Sequence, residues 1–402
     1  MNSETTAPQR VLIAGGGVAG LEALLALRDL AGDRVSLTVL APEREFAYRP
    51  MATAVPFARG RVRRHDVGEI VAAAGGEFLR GALAEVDPEA GTATTADGRT
   101  FHFDALVVAV GAASEPAYSR VRTWTPELDQ EVFGGLLADL EEGYAKRVAF
   151  VVPPDVDWPL PAYELALMTA WDARDMGQDD VQVTVYTPEE SPLAIFGADA
   201  SKALAGDLQE AGIDVQTGVT VEEDPEAPAR LLAQPGGRRI ESQRVIALPR
   251  AVAGGVGGLP VDEGGFILVD AHGQVRGTQN VWAAGDAVAF PIKQGGLAAQ
   301  QADAAAEAIA ARAGAELTPQ PFHPVLRGVL LTGRGSQWIR RDLEGADEGE
   351  AERRALWWPP TKVAGRYLAP YLAAREEAQP GDEERPAGQL VELNVEGHAA
   401  RP

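Results

Sequence analysis

A glycine turn near the start of the chain constrains the fold more than any other feature. The turn GGGVAG occupies residues 15–20, directly after the apolar run VLIA at 11–14 and directly before LEALLALRDL, which has helical apolar spacing. A second apolar run, VSLTVL, follows at 35–40. The order strand, glycine turn, helix and strand predicts a βαβ unit of the dinucleotide-binding kind.

Each glycine of the turn has its own predicted role. Gly15 permits the tight turn, Gly17 lets the backbone approach a pyrophosphate, and Gly20 lets the helix pack closely on the strand. Val18 and Ala19 begin the helix, whose free N–H groups and partial positive charge suit phosphate. The pattern therefore predicts a dinucleotide site at these residues, with a glycine turn that binds nothing as the alternative.

An acidic residue usually binds the ribose hydroxyls about 20 residues past the last glycine of such a turn. Position 41 is alanine here, and the nearest acid is Glu43. Glu43 is therefore the predicted ribose ligand. A solvated loop glutamate is the equal alternative.

Composition excludes several kinds of chemistry. The chain has 402 residues, enough for two to three domains, and 36 basic against 59 acidic side chains give a net charge of −23. That charge disfavours nucleic acid and anionic lipid as partners. The absence of cysteine excludes disulfides, iron–sulfur ligation, thiolate zinc sites and cysteine nucleophiles. The five histidines are scattered, so no metal site is predicted.

The termini and the apolar runs bear on localisation. Residues 1–10 lack a signal-peptide pattern, and no stretch approaches 18 uncharged apolar residues. The sequence therefore predicts a cytoplasmic protein without a spanning helix.

A second βαβ unit has a turn unsuited to a nucleotide. The apolar run at 148–152 leads into PPDVDWPLP, and a helix at 161–175 and a strand at 181–187 follow. Four prolines replace glycine, and each removes an N–H donor and adds bulk. Asp155 and Asp157 would face the phosphate charges. The unit is therefore predicted to be a retained scaffold that does not bind NAD(P)H conventionally. Trp158 is interpreted either as a wedge over the cofactor cleft or as a packing residue at a domain interface.

Two later motifs complete a resemblance. The runs DALVVAVGA at 104–112 and VWAAGDA at 281–287, together with the first glycine turn, resemble the three signatures of flavoproteins with two dinucleotide-binding domains. The resemblance covers about residues 10–320. It implies that FAD lies on the first turn, that Gly111 closes the FAD domain near a crossover, and that Gly285 and Asp286 bind the ribityl–pyrophosphate region. Val110 stands where threonine is common in the second signature.

The branch of this family is indicated by two further runs. EFAYRP at 45–50 and PPDVDWPLPAYELALM at 153–168 resemble the sulfide:quinone oxidoreductase and flavocytochrome c sulfide dehydrogenase branch, to which type II NADH dehydrogenases are more distantly related. The resemblance implies that Tyr48, Arg49 and Pro50 lie alongside FAD. Sulfide-oxidising members of the branch work through cysteines. Because this chain has none, that mechanism is excluded.

The reacting part of the cofactor is predicted to face the helix that begins near residue 296. Gly295 and Gly296 permit close approach, and the helix N-terminus would stabilise an anionic reduced flavin. Lys293 is the candidate catalytic residue, tuning the flavin potential or guiding a substrate, with a surface lysine as the alternative. Gln300 and Gln301 loosely resemble helix glutamines near the quinone side of related dehydrogenases.

The predicted fold class is α/β, with two Rossmann-like, doubly wound dinucleotide-binding domains, the second inserted in the first, and a C-terminal α+β module. The predicted divisions are 8–115 and 249–320 for the FAD-binding domain, 116–248 for the inserted domain, 321–375 for the C-terminal module and 376–402 for an acidic tail rich in proline and glycine. Aromatic runs at 357–362 and 366–374 predict internal packing or a homodimer interface rather than membrane attachment.

The function these features favour is that of an FAD-dependent oxidoreductase. It would transfer electrons between an unidentified donor and a quinone, a small oxidant or a redox protein, without conventional NAD(P)H binding. One alternative is an NAD(P)H:acceptor oxidoreductase of the quinone type. A second is a flavin-loaded binding or regulatory protein without turnover.

Overall fold

The computed structural model describes residues 7–126, 129–156, 158–345 and 349–377. Asp157, which the sequence places opposite a phosphate, lies outside the described residues, as do residues 378–402 of the acidic tail.

The helices and strands are numbered in chain order. The helices are α1 Val18–Ala31, α2 Val67–Ala73, α3 Asp129–Glu141, α4 Leu160–Asp175, α5 Ala198–Glu210, α6 Gly295–Arg312 and α7 Leu368–Glu377. The strands up to the second βαβ unit are β1 Gln9–Ala14, β2 Val35–Ala41, β3 Glu45–Tyr48, β4 Arg63–Asp66, β5 Glu77–Arg80, β6 Leu83–Asp87, β7 Thr92–Thr95, β8 Thr100–His102, β9 Ala105–Val108, β10 Ala112–Glu115 and β11 Arg122–Thr123. The remaining strands are β12 Arg147–Val151, β13 Gln182–Tyr186, β14 Asp214–Gln216, β15 Thr220–Asp224, β16 Ala227–Gln234, β17 Arg238–Arg239, β18 Arg244–Ala247, β19 Arg250–Ala253, β20 Val281–Ala283, β21 Val325–Leu331, β22 Ser336–Asp342 and β23 Glu350–Glu352.

The first sheet has five parallel strands in the order β20-β9-β1-β2-β5. Strand β9 and residues 11–14 of β1 are apolar and buried, as expected where both faces of a parallel sheet are covered. Ile13 and Val107 pack on the side of α1 and α6, whereas Leu12 and Leu106 pack towards the antiparallel sheet β6-β7-β8. The chain order and the parallel register bring the turn after β1 and the turn after β20 to one edge of this sheet.

The second sheet is also parallel, with the order β11-β18-β12-β13-β14. It lies in the chain between β9 and β20 of the first sheet. The antiparallel pair β10 and β19 carries the chain out and back. The predicted α/β class with two doubly wound sheets, one inserted in the other, is confirmed. The residue numbers proposed for the domain boundaries stay a prediction.

The C-terminal part combines the antiparallel sheet β21-β22-β23 with α7. Strand β21 packs against both α4 and α6, and α7 packs against α1. This part therefore braces the two parallel sheets against each other. Within the described residues, no helix has the length and apolar character needed to cross a lipid bilayer.

Two apolar runs of the sequence do not form continuous strands. Residues 266–269 form isolated bridges, including Ile267 with Val288, because the segment pairs one residue at a time with separate loops. The apolar run at 104–112 is a strand only to Val108. Gly111 has φ +74°, which turns the chain into β10 of a different sheet.

Candidate cofactor site

Three segments that the sequence separates meet at the carboxyl edge of the first sheet. A Cβ placed on Gly285 would lie 3.0 Å from Ala19 Cβ and 3.5 Å from Ala298 Cβ. A Cβ placed on Gly295 would lie 3.8 Å from Val18 Cγ2. The N-terminus of α1, the turn after β20 and the N-terminus of α6 therefore surround one location.

The glycines of the first turn divide into two kinds. A Cβ on Gly15, which has φ +133°, would lie 2.0 Å from Ala109 O, and a Cβ on Gly20 would lie 2.0 Å from Gly15 O. These two positions accept only glycine because the backbone packs against them. Apart from its two chain neighbours, no described residue has an atom within 4 Å of the Cβ position of Gly17. Gly17 therefore faces open space, as a residue that a pyrophosphate approaches should.

The start of α1 suits an anion. Gly17 is its N-cap residue, makes no side-chain capping bond, and is followed by a first turn without acidic residues. The first N–H groups of a helix, including those of Val18 and Ala19, have no acceptor within the helix. Together with the helix dipole, they offer donors and partial positive charge to a phosphate.

Asp286 supplies the complementary acceptor. It is half-buried, burial raises the pKa of its carboxyl, and the positive charge of Lys293 opposes that shift. No hydrogen bond joins this carboxylate to another described residue. A partly desolvated carboxylate retains acceptor capacity that a hydrogen-bond donor of a ligand can use. The hydroxyl groups of a ribityl chain are such donors.

Lys293 lies on the loop between Asp286 and α6. Its Nζ donates a hydrogen bond to Val288 O at 2.5 Å and lies 3.7 Å from the centroid of the Phe266 ring. The side chain is half-buried rather than extended into solvent. The hydrogen bond to Val288 O and the contact with Phe266 therefore hold the Lys293 ammonium group in one position beside the candidate site.

The glutamines of α6 stabilise backbone rather than line a cleft. Gln301, which is buried, accepts a hydrogen bond from Gly285 N at 2.8 Å. Gln300 exchanges hydrogen bonds with the backbone of Val325, each 2.9 Å long. They hold the Gly285 turn and strand β21 in place, which differs from the substrate-facing position that their resemblance suggested.

The N-terminus of α6 is partly capped by its own sequence. The Gln294 side chain accepts a hydrogen bond from Leu297 N at 2.9 Å and donates one to Arg327 O at 3.1 Å. A Cβ on Gly295 would lie 3.0 Å from Val363 Cγ2, and one on Gly296 would lie 2.9 Å from Gln294 Oε1. The segment around residue 363 therefore covers the start of α6.

The remaining predicted residues lie on three separate loops. Glu43 is exposed in the loop after β2, and Arg49 is exposed directly after β3. Pro50 is half-buried next to Arg49. Gly111 has open space around its Cβ position. Tyr48, which precedes Arg49, accepts a hydrogen bond from Val363 N at 3.2 Å through its hydroxyl.

A buried ion pair near the site was missed by the sequence analysis. Lys362 Nζ lies 2.6 Å from Glu164 Oε1, and the side chains are 10% and 1% exposed. Glu164 also accepts hydrogen bonds from Thr53 Oγ1 at 2.6 Å and from Leu331 N at 2.9 Å. The signal was one carboxylate, Glu164, within the otherwise uncharged run 158–171. It indicated a buried partner without showing which one.

A pair of neighbouring carboxyl groups, on Glu22 and Asp303, joins α1, α6 and α7. Glu22 accepts hydrogen bonds from Tyr367 N at 2.7 Å and Leu368 N at 2.8 Å, so it caps the start of α7. Asp303 on α6 lies beside Glu22. Burial, and then the negative charge of Glu22, raise the pKa of Asp303 to about 8. Asp303 therefore keeps its proton at neutral pH.

This retained proton gives a pH-dependent prediction. Between the ordinary aspartate pKa near 4 and the raised value, the native state holds a proton that the unfolded state releases. Stability must therefore fall as pH rises through this window. We expect Asp303→Asn to be more stable than the parent at pH 8, with a difference that shrinks towards pH 4. Urea unfolding across this range measures the difference, and a difference independent of pH would contradict the account.

The start of α4 is covered by protein, unlike the start of α1. A Cβ on Gly328 of β21 would lie 2.8 Å from Phe196 Cζ and 3.2 Å from Leu160 Cδ1. Trp158 packs on Phe196 with ring centroids 5.7 Å apart. Pro159 occupies the N-cap position without a capping bond. Of the two interpretations of Trp158, this arrangement favours packing.

The acid after the second strand of this unit is also engaged. Glu189 follows β13, where a dinucleotide-binding unit places its ribose ligand. It accepts hydrogen bonds from the hydroxyls of Tyr163 at 2.6 Å and Thr187 at 3.0 Å. The Asp155 carboxylate lies 3.6 Å from the guanidinium of Arg250. The carboxylate that would bind a ribose is thus already held by neighbouring side chains.

Comparison with known proteins agrees with this architecture. Residues 164–309 match the family described as pyridine nucleotide-disulphide oxidoreductase. The sulfide-quinone reductase of Aquifex aeolicus (strain VF5) is 29% identical over 217 residues, which are 50% of this chain and 48% of that protein. The match to this family covers 146 of the 402 residues, so the chain is similar to the family over that part. The chain spans about half the length of this curated relative.

Solved structures of other proteins share the fold. The sulfide:quinone oxidoreductase from Aquifex aeolicus has a TM-score of 0.77 at 20% identity, covering 92% of this chain and 90% of that one. Putidaredoxin reductase, in its covalent complex with putidaredoxin, has a TM-score of 0.61 at 19% identity, covering 85% and 84%. At these identities the likeness concerns the fold alone.

Proposed function

We propose that this protein is an FAD-dependent oxidoreductase. It transfers electrons from a donor other than NAD(P)H to a quinone, a small oxidant or a redox protein. The observation that carries the proposal is the meeting of two helix N-termini and the Gly285–Asp286 turn around the open space at Gly17. FAD, when bound, supplies the electron-transfer chemistry that the side chains themselves lack.

The residues present fit this cofactor. Gly17 and the N–H groups of Val18 and Ala19 hold the pyrophosphate, and Asp286 accepts hydrogen bonds from hydroxyl groups. Glu43 is the ribose ligand in this arrangement.

The other predicted residues complete the proposed site. Gly111 lies at the crossover, and Arg49 and Pro50 lie beside the cofactor. Gly295 and Gly296 turn backbone donors towards the redox-active ring.

Lys293 is the proposed residue that tunes the reaction. A fixed cation beside Asp286 favours the form of the cofactor that carries more negative charge. The Lys362–Glu164 pair acts as a positioning pair, because Lys362 is bonded to Val363, which lies against the start of α6. Loss of this ion pair would shift the segment around residue 363, which lies against the start of α6, and would not remove a reacting group.

The electron donor is proposed to be something other than NAD(P)H. The turn before α4 has prolines where a nucleotide site needs N–H donors, and Leu160 and Phe196 pack against β21 at the same place. Glu189 is held by Tyr163 and Thr187. The names of the relatives favour a quinone or a redox protein as acceptor, since one is a sulfide-quinone reductase and another is bound to putidaredoxin.

Anaerobic mixing tests the proposal. We expect NADH and NADPH to leave the flavin absorbance at about 450 nm unchanged, whereas photochemical reduction should abolish this absorbance. A soluble quinone added afterwards should restore the absorbance. Rapid bleaching by either nucleotide would contradict the proposal and favour an NAD(P)H:acceptor oxidoreductase. Failure of every acceptor to reoxidise the photoreduced protein would favour the binding-protein alternative.

A further inference from the structure

A cavity lies in the inserted part of the chain, away from both dinucleotide turns. It has a volume of about 490 Å³ and opens between the edge strand β11, the hairpin β16–β17, the start of β18 and helix α3. In the parallel pairing of β18 with β12, Arg244 lies beside Val148, near the start of β12. The proline-rich turn follows the opposite end of β12. The cavity is therefore distinct from any residual nucleotide site of this unit.

The lining of this cavity is strongly basic. Five exposed arginines surround it, and they come from four strands and one loop: Arg120, Arg122, Arg230, Arg239 and Arg244. Asp139 is the carboxylate among the lining residues. Such a concentration of positive charge is unexpected in a chain whose net charge is −23. We refer to it as the arginine groove.

The internal partners of these arginines neutralise only part of the charge. Arg244 Nε donates to Asp139 Oδ2 at 2.6 Å, and Arg230 lies 3.8 Å from Asp224. Neither Arg120 nor Arg239 makes a side-chain hydrogen bond or ion pair with another residue of the described ranges. Like charges around one cavity repel each other unless an anion lies between them. The groove therefore favours an anionic occupant.

The shape of the groove narrows the class of occupant. Its volume falls within the roughly 300–1,000 Å³ typical of small-molecule sites. Guanidinium groups present planar pairs of donors that match phosphate oxygens. Several arginines converging from different strands suit a ligand with consecutive phosphates better than a single anion. The negative net charge of the chain disfavours a nucleic acid.

We propose that the arginine groove binds a small polyphosphate-bearing ligand, either a nucleoside polyphosphate or an inorganic polyphosphate. Arg120 and Arg239 supply the principal contacts to phosphate oxygens. Arg244, the first residue of β18, is oriented by Asp139 and lines the groove on that side. This site is independent of the proposed redox function, because it shares no residue with the cofactor site.

Calorimetric titration of the full chain saturated with FAD tests the proposal. Saturation keeps the first glycine turn from binding the probes. Tripolyphosphate, ATP and adenosine are the three probes. We expect saturable binding of tripolyphosphate and ATP that weakens with salt, and none of adenosine. Equal affinities would identify the polyphosphate itself as the ligand, whereas tighter binding of ATP would show that the nucleoside contributes.

Variants locate the binding. The double variant Arg120→Gln/Arg239→Gln should lose at least about ten-fold in affinity for both polyphosphates, since two charged donors are removed. The control Arg276→Gln/Arg354→Gln changes the net charge equally at exposed positions elsewhere, and should keep the parent affinity. The absence of saturable binding, an unchanged affinity in the groove variant, or an equal loss in the control would each overturn the proposal.

Discussion

Gly17→Val is expected to fold like the parent and to bind FAD at least about ten-fold more weakly, a change of about 1.4 kcal/mol or more. The reason is that no described residue other than its chain neighbours lies within 4 Å of its Cβ position, where the proposed pyrophosphate approaches the backbone. The added methyl groups occupy ligand space rather than core space. Flavin titration of the apoprotein and its urea unfolding curve measure the two halves of this expectation.

Two other glycine variants serve as controls for Gly17→Val. Gly15→Ala should lose stability as well as flavin, because its Cβ would lie 2.0 Å from Ala109 O at a positive φ. Gly206→Val, on the exposed side of α5 with open space around it, should bind flavin like the parent. Unchanged flavin affinity in Gly17→Val would mean that the cofactor does not lie on this turn. A cost above about 2 kcal/mol in the apoprotein would contradict the open space, because an unfavourable N-cap residue costs no more than that.

Lys362→Met is expected to have the largest effect on stability, a loss of about 3–5 kcal/mol in the free energy of unfolding. The substitution leaves Glu164, whose side chain is 1% exposed, as a charge without its ionic partner. Hydrogen bonds from Thr53 and Leu331 remain, but neither carries a compensating charge. Because Glu164 joins α4 to the C-terminal part, the loss should also loosen the segment that covers the start of α6.

A double-mutant cycle separates the buried charge from general disruption. Glu164→Gln/Lys362→Met removes both charges and keeps a group that can bond Thr53 and Leu331 N. We expect it to recover most of the stability lost in Lys362→Met. The control Lys202→Met alters an exposed lysine on α5 and should change stability by no more than about 0.5 kcal/mol. A double variant as unstable as Lys362→Met would show that the ion pair is not the cause.

The sequence predicted the parallel sheets because local signals and long-range structure coincide there. The run at 11–14 is apolar, β-branched in part and followed by a glycine turn, so strand, turn and helix were each indicated locally. The same holds for the run at 281–284. Once three glycine turns are assigned to the carboxyl ends of parallel strands, sheet topology brings them to one edge. That is why the candidate cofactor site could be approximated without a structure.

The features that were missed depend on contacts far apart in the chain. Glu164 and Lys362 are separated by 198 residues, and Glu22 caps a helix 346 residues later. A charged residue within an apolar helix indicates a buried partner, but pattern alone does not identify it. The apolar run FILV at 266–269, which forms isolated bridges, shows a related difficulty. Short apolar runs do not distinguish a strand from a loop that packs its side chains.

The proline-rich turn shows how the structure sharpened one interpretation. The sequence indicated missing N–H donors, and the structure adds that β21 and Phe196 occupy the start of α4. Strand β21 also bonds to α6 through Gln300. Strand β21 therefore occupies the start of α4 in the second βαβ unit and holds α6 of the first sheet in place. The unconventional turn of the second unit is thus linked to the geometry of the candidate cofactor site.

The central claim is that FAD is bound where the two helix N-termini and the Gly285–Asp286 turn meet. Chromatography of the flavin released from the purified, heat-denatured protein tests it most directly, with prior reconstitution if the protein is isolated without cofactor. The account predicts about one FAD per chain in the parent and little in Gly17→Val. A parent protein that contains no flavin and takes up none on reconstitution would contradict it.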